Sequence, residues 1–380
     1  MLARALVDRG AGAQRINLNG GDRATWPGGY DYRGTFAGWP RYLTGFFARR
    51  QISDLVLYGD CRPYHAAAVA VARGVGVSVH VFEEGYLRPD WITLERGGVN
   101  GFSTLPTDAA WYMREAATLP PVTNGPALPG CAAERRWAAF FYYAQDTLQR
   151  WRFPFGPNHR ANDPIREGLS YLAKFRRAGR EREASARARA AVAGRRFVLF
   201  PLQLDSDYQI RTHSPFPDMR AAARYMLASF AAHAPRDLAL IVKEHPLDSG
   251  LIDWRTLFDA AEREFGLAGR LAFIEHGDLQ ELVDRSVGMV TVNSTTGTLA
   301  LAAGKPVKVL GRAVYDIVGL TDERPLDRFW DAPASPDPAL FDAYHRVLLD
   351  RCLIRGAFLS EAGAEAMVSL AADRLLGPVP

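Results

Sequence analysis

Short apolar runs that end in polar clusters recur along this chain, and stretches with helical spacing lie between them. That alternation restricts the fold more than any other feature. Strands apolar on both faces need cover on both sides, and parallel neighbours are reached through crossover helices. Asp54 to Tyr58 reads as a strand, Pro63 to Arg73 as a helix and Gly76 to Phe82 as the next strand, the spacing of a parallel βαβ unit. The pattern restarts after Gly194. Phe197 to Leu202, Leu238 to Lys243, Leu271 to Ile274, Val287 to Val292 and Val307 to Leu310 all have the composition of buried parallel strands. Two such blocks in 380 residues predict an α/β chain with two doubly wound, Rossmann-like domains facing across a cleft. The expected boundaries are 1–135 for the first domain, 136–195 for an aromatic and basic helical connector, 196–335 for the second domain and 336–380 for closing helices.

Composition narrows the class. With 48% hydrophobic and 23% charged residues the chain can bury a core and is not disordered. No apolar run reaches the length of a bilayer span, and the N-terminus lacks the apolar core of a signal peptide, so a cytoplasmic protein is expected. Cys61, Cys131 and Cys352 are widely spaced and odd in number, which suggests neither a disulfide framework nor a zinc site.

Charge is concentrated. Residues 166–196 hold ten basic and three acidic side chains, a local balance of +7 against +4 for the whole chain. Just before them stand Trp137, Phe140, Phe141, Tyr142, Tyr143, Trp151, Phe153 and Phe155. Two readings stand side by side. Aromatics beside a basic helix suit an anionic membrane surface; they also suit a solvated helix between domains with its rings packed in the seam. Nucleic acid is a poorer partner, because no recognition module accompanies the charge.

Polar clusters at strand ends mark candidate sites, since open α/β sheets bind ligands beyond the carboxyl ends of their strands. In the first block Val79 to Phe82 runs into Glu83-Glu84-Gly85-Tyr86-Leu87-Arg88-Pro89, placing two carboxylates and an arginine at such an end. In the second block Gln203-Leu204-Asp205-Ser206-Asp207, Lys243-Glu244-His245-Pro246 and Asn293-Ser294-Thr295-Thr296-Gly297-Thr298 follow successive strands. The last opens a helix through Ala303, so its hydroxyls and amides form either a phosphate site or an ordinary N-cap. His245 before Pro246 is either a phosphate donor or a structural residue.

Together these stretches resemble the capsule polysaccharide synthesis proteins of the KpsS type. The resemblance is carried by Tyr58-Gly59-Asp60-Cys61-Arg62-Pro63-Tyr64-His65, by Phe82 through Glu95, by Gly98-Val99-Asn100-Gly101, by Asn19-Gly20-Gly21-Asp22, and by Gln203, Asp205, Ser206 and Asp207. It implies a GT-B glycosyltransferase that takes β-Kdo from CMP-Kdo and builds the Kdo linker on a lysophosphatidylglycerol anchor of Gram-negative capsules. The implied address is the inner face of the cytoplasmic membrane, with other capsule synthesis or export proteins as further partners. Glu83-Glu84-Gly85 and Lys243-x-His245-Pro246 are also similar to motifs of GT-B sialyltransferases, which use another CMP-activated keto sugar acid. By that likeness Lys243 and His245 belong to the CMP subsite, Ser294 and Thr295 to its phosphate, and Glu84 takes the central chemical role. Asn100, Gln203, Asp205, Ser206, Asn293 and Thr296 complete the expected substrate-binding set.

The chemistry of the residues fits that role. CMP leaves with one phosphate, whose charge a helix terminus and His245 can neutralise, so no metal or other cofactor is expected. A carboxylate must deprotonate the acceptor hydroxyl or attack the anomeric carbon. In a retaining enzyme Glu84 would be the nucleophile, with Glu83 or Asp60 as the second acid. Arg62 and Arg88 suit the sugar carboxylate through bidentate contacts, while pairing of Arg88 with Asp90 or Glu95 is an equal alternative. Two other functions remain open: a non-catalytic capsule assembly or export component, and a GT-B enzyme using UDP-sugars. One departure from the family stands out. Leu2 to Asp8 reads as a helix, so the first strand of the N-terminal domain is expected to be missing.

Overall fold

A computed structural model describes residues 1–26, 28–123, 128, 132–156, 164–358 and 361–377. The chain divides into two compact units, one built from residues 1–104, 121–159 and 346–380, the other from 105–120 and 160–345. The strands in chain order are β1 (Ile16–Asn17), β2 (Tyr30–Asp31), β3 (Asp54–Tyr58), β4 (Ser78–Glu84), β5 (Trp91–Arg96), β6 (Arg196–Pro201), β7 (Leu238–Lys243), β8 (Leu271–Ile274), β9 (Gly288–Thr291), β10 (Val307–Val309) and β11 (Leu353–Arg355).

The second unit is the doubly wound sheet that the apolar runs predict. Its order is β10-β9-β6-β7-β8, every pair parallel. All six residues of β7 are buried, as are all four of β8 and of β9, because helices cover both faces. Phe200, Phe230, Trp254, Phe258, Phe329 and Trp330 dominate one side of that core. Helix starts are set by aspartates, with Asp218, Asp253 and Asp278 each accepting an amide of the first turn. Winding runs from β6 outward through β7 to β8, then returns to the other side of β6 for β9 and β10. The direction reverses between β6 and β9, and that reversal opens a crevice at the carboxyl edge of the sheet.

The first unit departs from a wholly parallel plan. β3 and β4 pair in parallel with the Pro63–Gly74 helix between them, as expected, but β5 returns antiparallel to β4 and β11 antiparallel to β5. Its sheet order is β11-β5-β4-β3. The short Gly85 to Asp90 connection leaves no room for a crossover helix, which forces the antiparallel return. Phe82, Ile92, Leu94 and Ile354 bury one face against Met367 and Ala371 of the C-terminal helix Glu361–Leu376.

Leu2–Asp8 is helical as read, yet a strand does precede the first polar loop: β1 pairs in parallel with β2 through Ile16↔Tyr30 and Asn17↔Asp31. Two residues with no apolar run leave too little pattern to read. Asn19-Gly20-Gly21-Asp22 follows immediately and starts a helix over Gly20–Thr25, with Asn19 Oδ1 accepting the Asp22 amide and Asp22 Oδ2 accepting that of Leu18. The glycines let this helix press against the aromatic helix Ala132–Leu148, where a Cβ on Gly21 would lie 2.7 Å from the Tyr142 ring. This motif is packing and capping.

The residues between 136 and 195 contribute to both units, the aromatic helix to the first and the basic helix Pro164–Ala191 to the second. Trp137, Phe140 and Phe141 are each at least 60% exposed, and Trp151 and Phe155 are open too; only Phe153 is buried. Cys352 is buried and Cys61 half-buried, while Cys131 lies outside the described residues. Among the described residues no helix is long and apolar enough to cross a membrane.

Candidate functional site

In the first unit the polar edge forms where β3 and β4 end together. Tyr58 sits opposite Phe82, and the Gly59 amide continues the ladder to the Phe82 carbonyl at 2.8 Å. Adjacent strand residues point to opposite faces, so Glu83 and Glu84 separate. Glu84 shares the face of Phe82, while a Cβ on Gly59 would stand 3.4 Å from Glu83 Oε2. Glu83 Oε1 also accepts the Glu84 amide at 3.0 Å. Gly85 then makes the turn: a Cβ there would fall 2.7 Å from the Leu87 carbonyl oxygen. Both carboxylates are half-buried. They act electrostatically on the Tyr58 phenol, which burial first and then these two charges hold above its ordinary value, while Arg62 and Arg88 pull it down. Tyr58, Glu83, Glu84, Arg62 and Arg88 therefore form one electrostatic cluster.

The other candidates here support the backbone. Asp60 is buried and accepts the Val99 amide at 3.0 Å and the Cys61 thiol at 3.3 Å. Arg62 lies over the Tyr58 ring at 5.7 Å. Arg88 is exposed, and its Nε donates to the Gly85 carbonyl at 3.4 Å. Among the described residues no ion pair joins it to Asp90, which accepts the Leu128 amide, or to Glu95, which accepts from Tyr86 and Ser103. Asn100, at φ +54°, donates its amide to the Tyr86 hydroxyl at 2.6 Å.

Behind this edge lies a network that the motifs do not announce. The Tyr86 hydroxyl donates to Glu95, and Ser103 Oγ donates to the other Glu95 oxygen at 2.5 Å. Burial raises the Glu95 carboxyl to about 7 in spite of these bonds. A charged residue in the β5 sequence Trp91-Ile92-Thr93-Leu94-Glu95-Arg96 reads as solvent-facing, and only the antiparallel return buries it. The one signal was its proximity to the Glu83-Glu84-Gly85-Tyr86 turn.

In the second unit the three expected clusters follow the neighbouring strands β6, β7 and β9 at the carboxyl edge of the sheet. Gln203 after β6 donates to Asn293 Oδ1 at 2.7 Å and accepts the Asn293 amide at 3.2 Å, while Asn293 also donates to the Gln209 carbonyl at 3.0 Å. This pair ties together the segments that follow β6 and β9, where the winding reverses. Ser294 Oγ accepts the Thr296 amide at 3.2 Å, the Thr296 hydroxyl donates to it at 3.0 Å, and Tyr315 donates to the Ser294 carbonyl at 2.5 Å. Ser294 thus serves as a cap for the Thr296–Ala302 helix, whereas Thr295 makes no side-chain capping bond. Among the described residues the Thr295 amide is used by no acceptor.

Lys243 is buried, with Nζ 3.3 Å from the Glu244 carbonyl, and burial lowers its pKa. Glu244 is raised to about 7 by burial and accepts from Lys174 at 2.5 Å. His245 Nδ1 accepts the Leu247 amide at 3.1 Å, so the neutral ring carries its proton on Nε2. Asp205 is turned to structure, accepting the Met219 amide at 3.0 Å, and Asp207 caps the Tyr208–His213 helix. Ser206 is half-buried beside them.

Fold and site together define an α/β protein of two Rossmann-like units, one of which holds a polar crevice at its topological switch point. The sequence from 53 to 359 matches the family described as capsule polysaccharide biosynthesis protein. The chain is 34% identical to the capsule polysaccharide modification protein LipB of Neisseria meningitidis, over 95% of this chain and 88% of that one. It is 32% identical to the capsule polysaccharide export protein KpsS of Escherichia coli, over 94% and 92% respectively. Among solved structures it is similar to the KpsC β-Kdo 2,7 transferase of Thermosulfurimonas dismutans, at 16% identity and a TM-score of 0.43, covering 93% of this chain and 94% of that one. The chain belongs to the capsule polysaccharide biosynthesis family.

Proposed function

We propose that this protein is a capsule glycosyltransferase that moves β-Kdo from CMP-Kdo to a lysophosphatidylglycerol-based acceptor, starting the Kdo linker. The observation that carries the donor assignment is the Gln203–Asn293 pair at the reversal of the second sheet, flanked by the Lys243–His245 and Ser294–Thr296 segments. A nucleotide monophosphate suits that edge. The Thr295 amide, the hydroxyls of the turn and the Nε2 proton of His245 are the donors for one departing phosphate, with no metal in the scheme. The first unit supplies the acid-base chemistry, with Glu84 as base or nucleophile and Glu83 as the second carboxylate. Arg62 and Arg88 balance the sugar carboxylate. Asp60 and Asp205 anchor the loops beside these groups, through the Val99 and Met219 amides.

Titration calorimetry with CMP and UDP tests the donor subsite. CMP is expected to bind and UDP to bind at least tenfold more weakly. His245→Ala should weaken CMP binding by about 10- to 100-fold, the worth of one charge-assisted hydrogen bond, without lowering the melting temperature of the nucleotide-free protein. Preference for UDP would favour a UDP-sugar enzyme, and binding of neither would favour a non-catalytic capsule component.

A further inference from the structure

The basic helix Pro164–Ala191 uses its two sides differently. One side grips the loop after β7: Ser170 Oγ donates to the Ser249 carbonyl at 2.7 Å, Tyr171 to that of Leu247 at 2.9 Å, and Lys174 to Glu244 Oε2 and the Asp248 carbonyl. The other side turns apolar groups to solvent. Leu169, Leu172 and Phe175 are 64%, 47% and 81% exposed, and their spacing of three makes a continuous strip. Arg176 and Arg180 fall on the same side, and Arg182 flanks it. Among the described residues none of these three arginines has an acidic partner, unlike Arg177 and Arg187, which pair with Glu181 and Glu183.

We propose that this outer face is a docking surface for an anionic phospholipid layer. Insertion at the level of lipid headgroups removes all three apolar side chains from water, while the unpaired guanidinium groups meet lipid phosphates. The charge of the strip selects the occupant: an apolar protein surface would leave Arg176 and Arg180 desolvated without partners. The opposite face of the same helix, about 10 Å away, holds the Glu244 to Asp248 loop. Docking therefore brings that loop to within a helix diameter of the lipid surface, whichever sugar the protein transfers.

Co-sedimentation of the full chain with vesicles tests this. Vesicles of phosphatidylcholine containing phosphatidylglycerol should carry the protein down, pure phosphatidylcholine should not, and added salt should release it as the screening length contracts. Phe175→Asp, and separately Leu169→Asp, should reduce the partition coefficient at least tenfold with unchanged melting temperature. Arg176→Gln/Arg180→Gln/Arg182→Gln should reduce it similarly and flatten the salt dependence. Wild-type protein that stays in the supernatant with anionic vesicles overturns the proposal. So does a Phe175→Asp variant that sediments like wild type, or one whose only change is a smaller mass in sedimentation velocity, which would make the strip a contact between copies.

Discussion

Glu84 stands at the end of β4 on the face opposite Glu83, so the two carboxylates have separable roles although they are neighbours in sequence. Replacing Glu84 by Gln keeps shape and removes the base or nucleophile. Transfer should fall by about 10²–10⁴-fold, with CMP affinity and melting temperature retained; near-normal transfer would take Glu84 out of the mechanism. Glu95 answers a different question. Burial raises its carboxyl to about 7, so the folded chain holds a proton that the unfolded chain releases near the ordinary value of 4.5. The stability this proton contributes is complete below that value and is lost as pH climbs through about 7. Glu95→Gln mimics the protonated form. Its melting temperature relative to wild type should therefore rise between pH 5 and pH 8, by a few degrees for each kcal/mol recovered; a constant difference would mean that Glu95 is ionised throughout. Glu244, also raised to about 7, titrates in the same window in both proteins and cancels in that difference.

At the scale of elements, a Cβ at Gly21 would enter the Tyr142 ring where the Gly20–Thr25 helix meets the aromatic helix. Gly21→Ala should destabilise by about 1–3 kcal/mol through overpacking, measured by denaturant melts, with the midpoint falling and the slope unchanged. The elements legible in the sequence are those whose burial writes a pattern. β7 and β8, buried throughout, match the apolar runs residue for residue, and β3 keeps its expected bounds although its residues alternate between exposed and half-buried. β5 and β11 carry no such mark: Thr93, Glu95 and Arg355 interrupt them, and their direction is set by a short turn and by a strand far along the chain. The sites divide in the same way. Strand-end clusters are visible as breaks in hydrophobicity, so Glu83, Glu84, Gln203 and Asn293 stand out. Whether a carboxylate caps a helix or faces a crevice depends on distant amides, and so the anchoring roles of Asp60 with Val99 and of Asp205 with Met219 emerge only from the fold.

At the scale of the whole molecule, family membership spans nearly the full chain and agrees with two Rossmann-like units that each present a polar strand edge. The division of labour proposed for them, nucleotide on the second and acid-base chemistry on the first, makes both edges necessary for one reaction. The most direct measurement is mass spectrometry of a synthetic lysophosphatidylglycerol acceptor after incubation with the protein and CMP-Kdo generated in place. Addition of β-linked Kdo that requires CMP-Kdo, persists with chelator and disappears in the Glu84→Gln protein is the expected result. An acceptor left unmodified by CMP-Kdo but glycosylated from a UDP-sugar, or left unmodified by every donor while the protein still binds it, would contradict the proposed function.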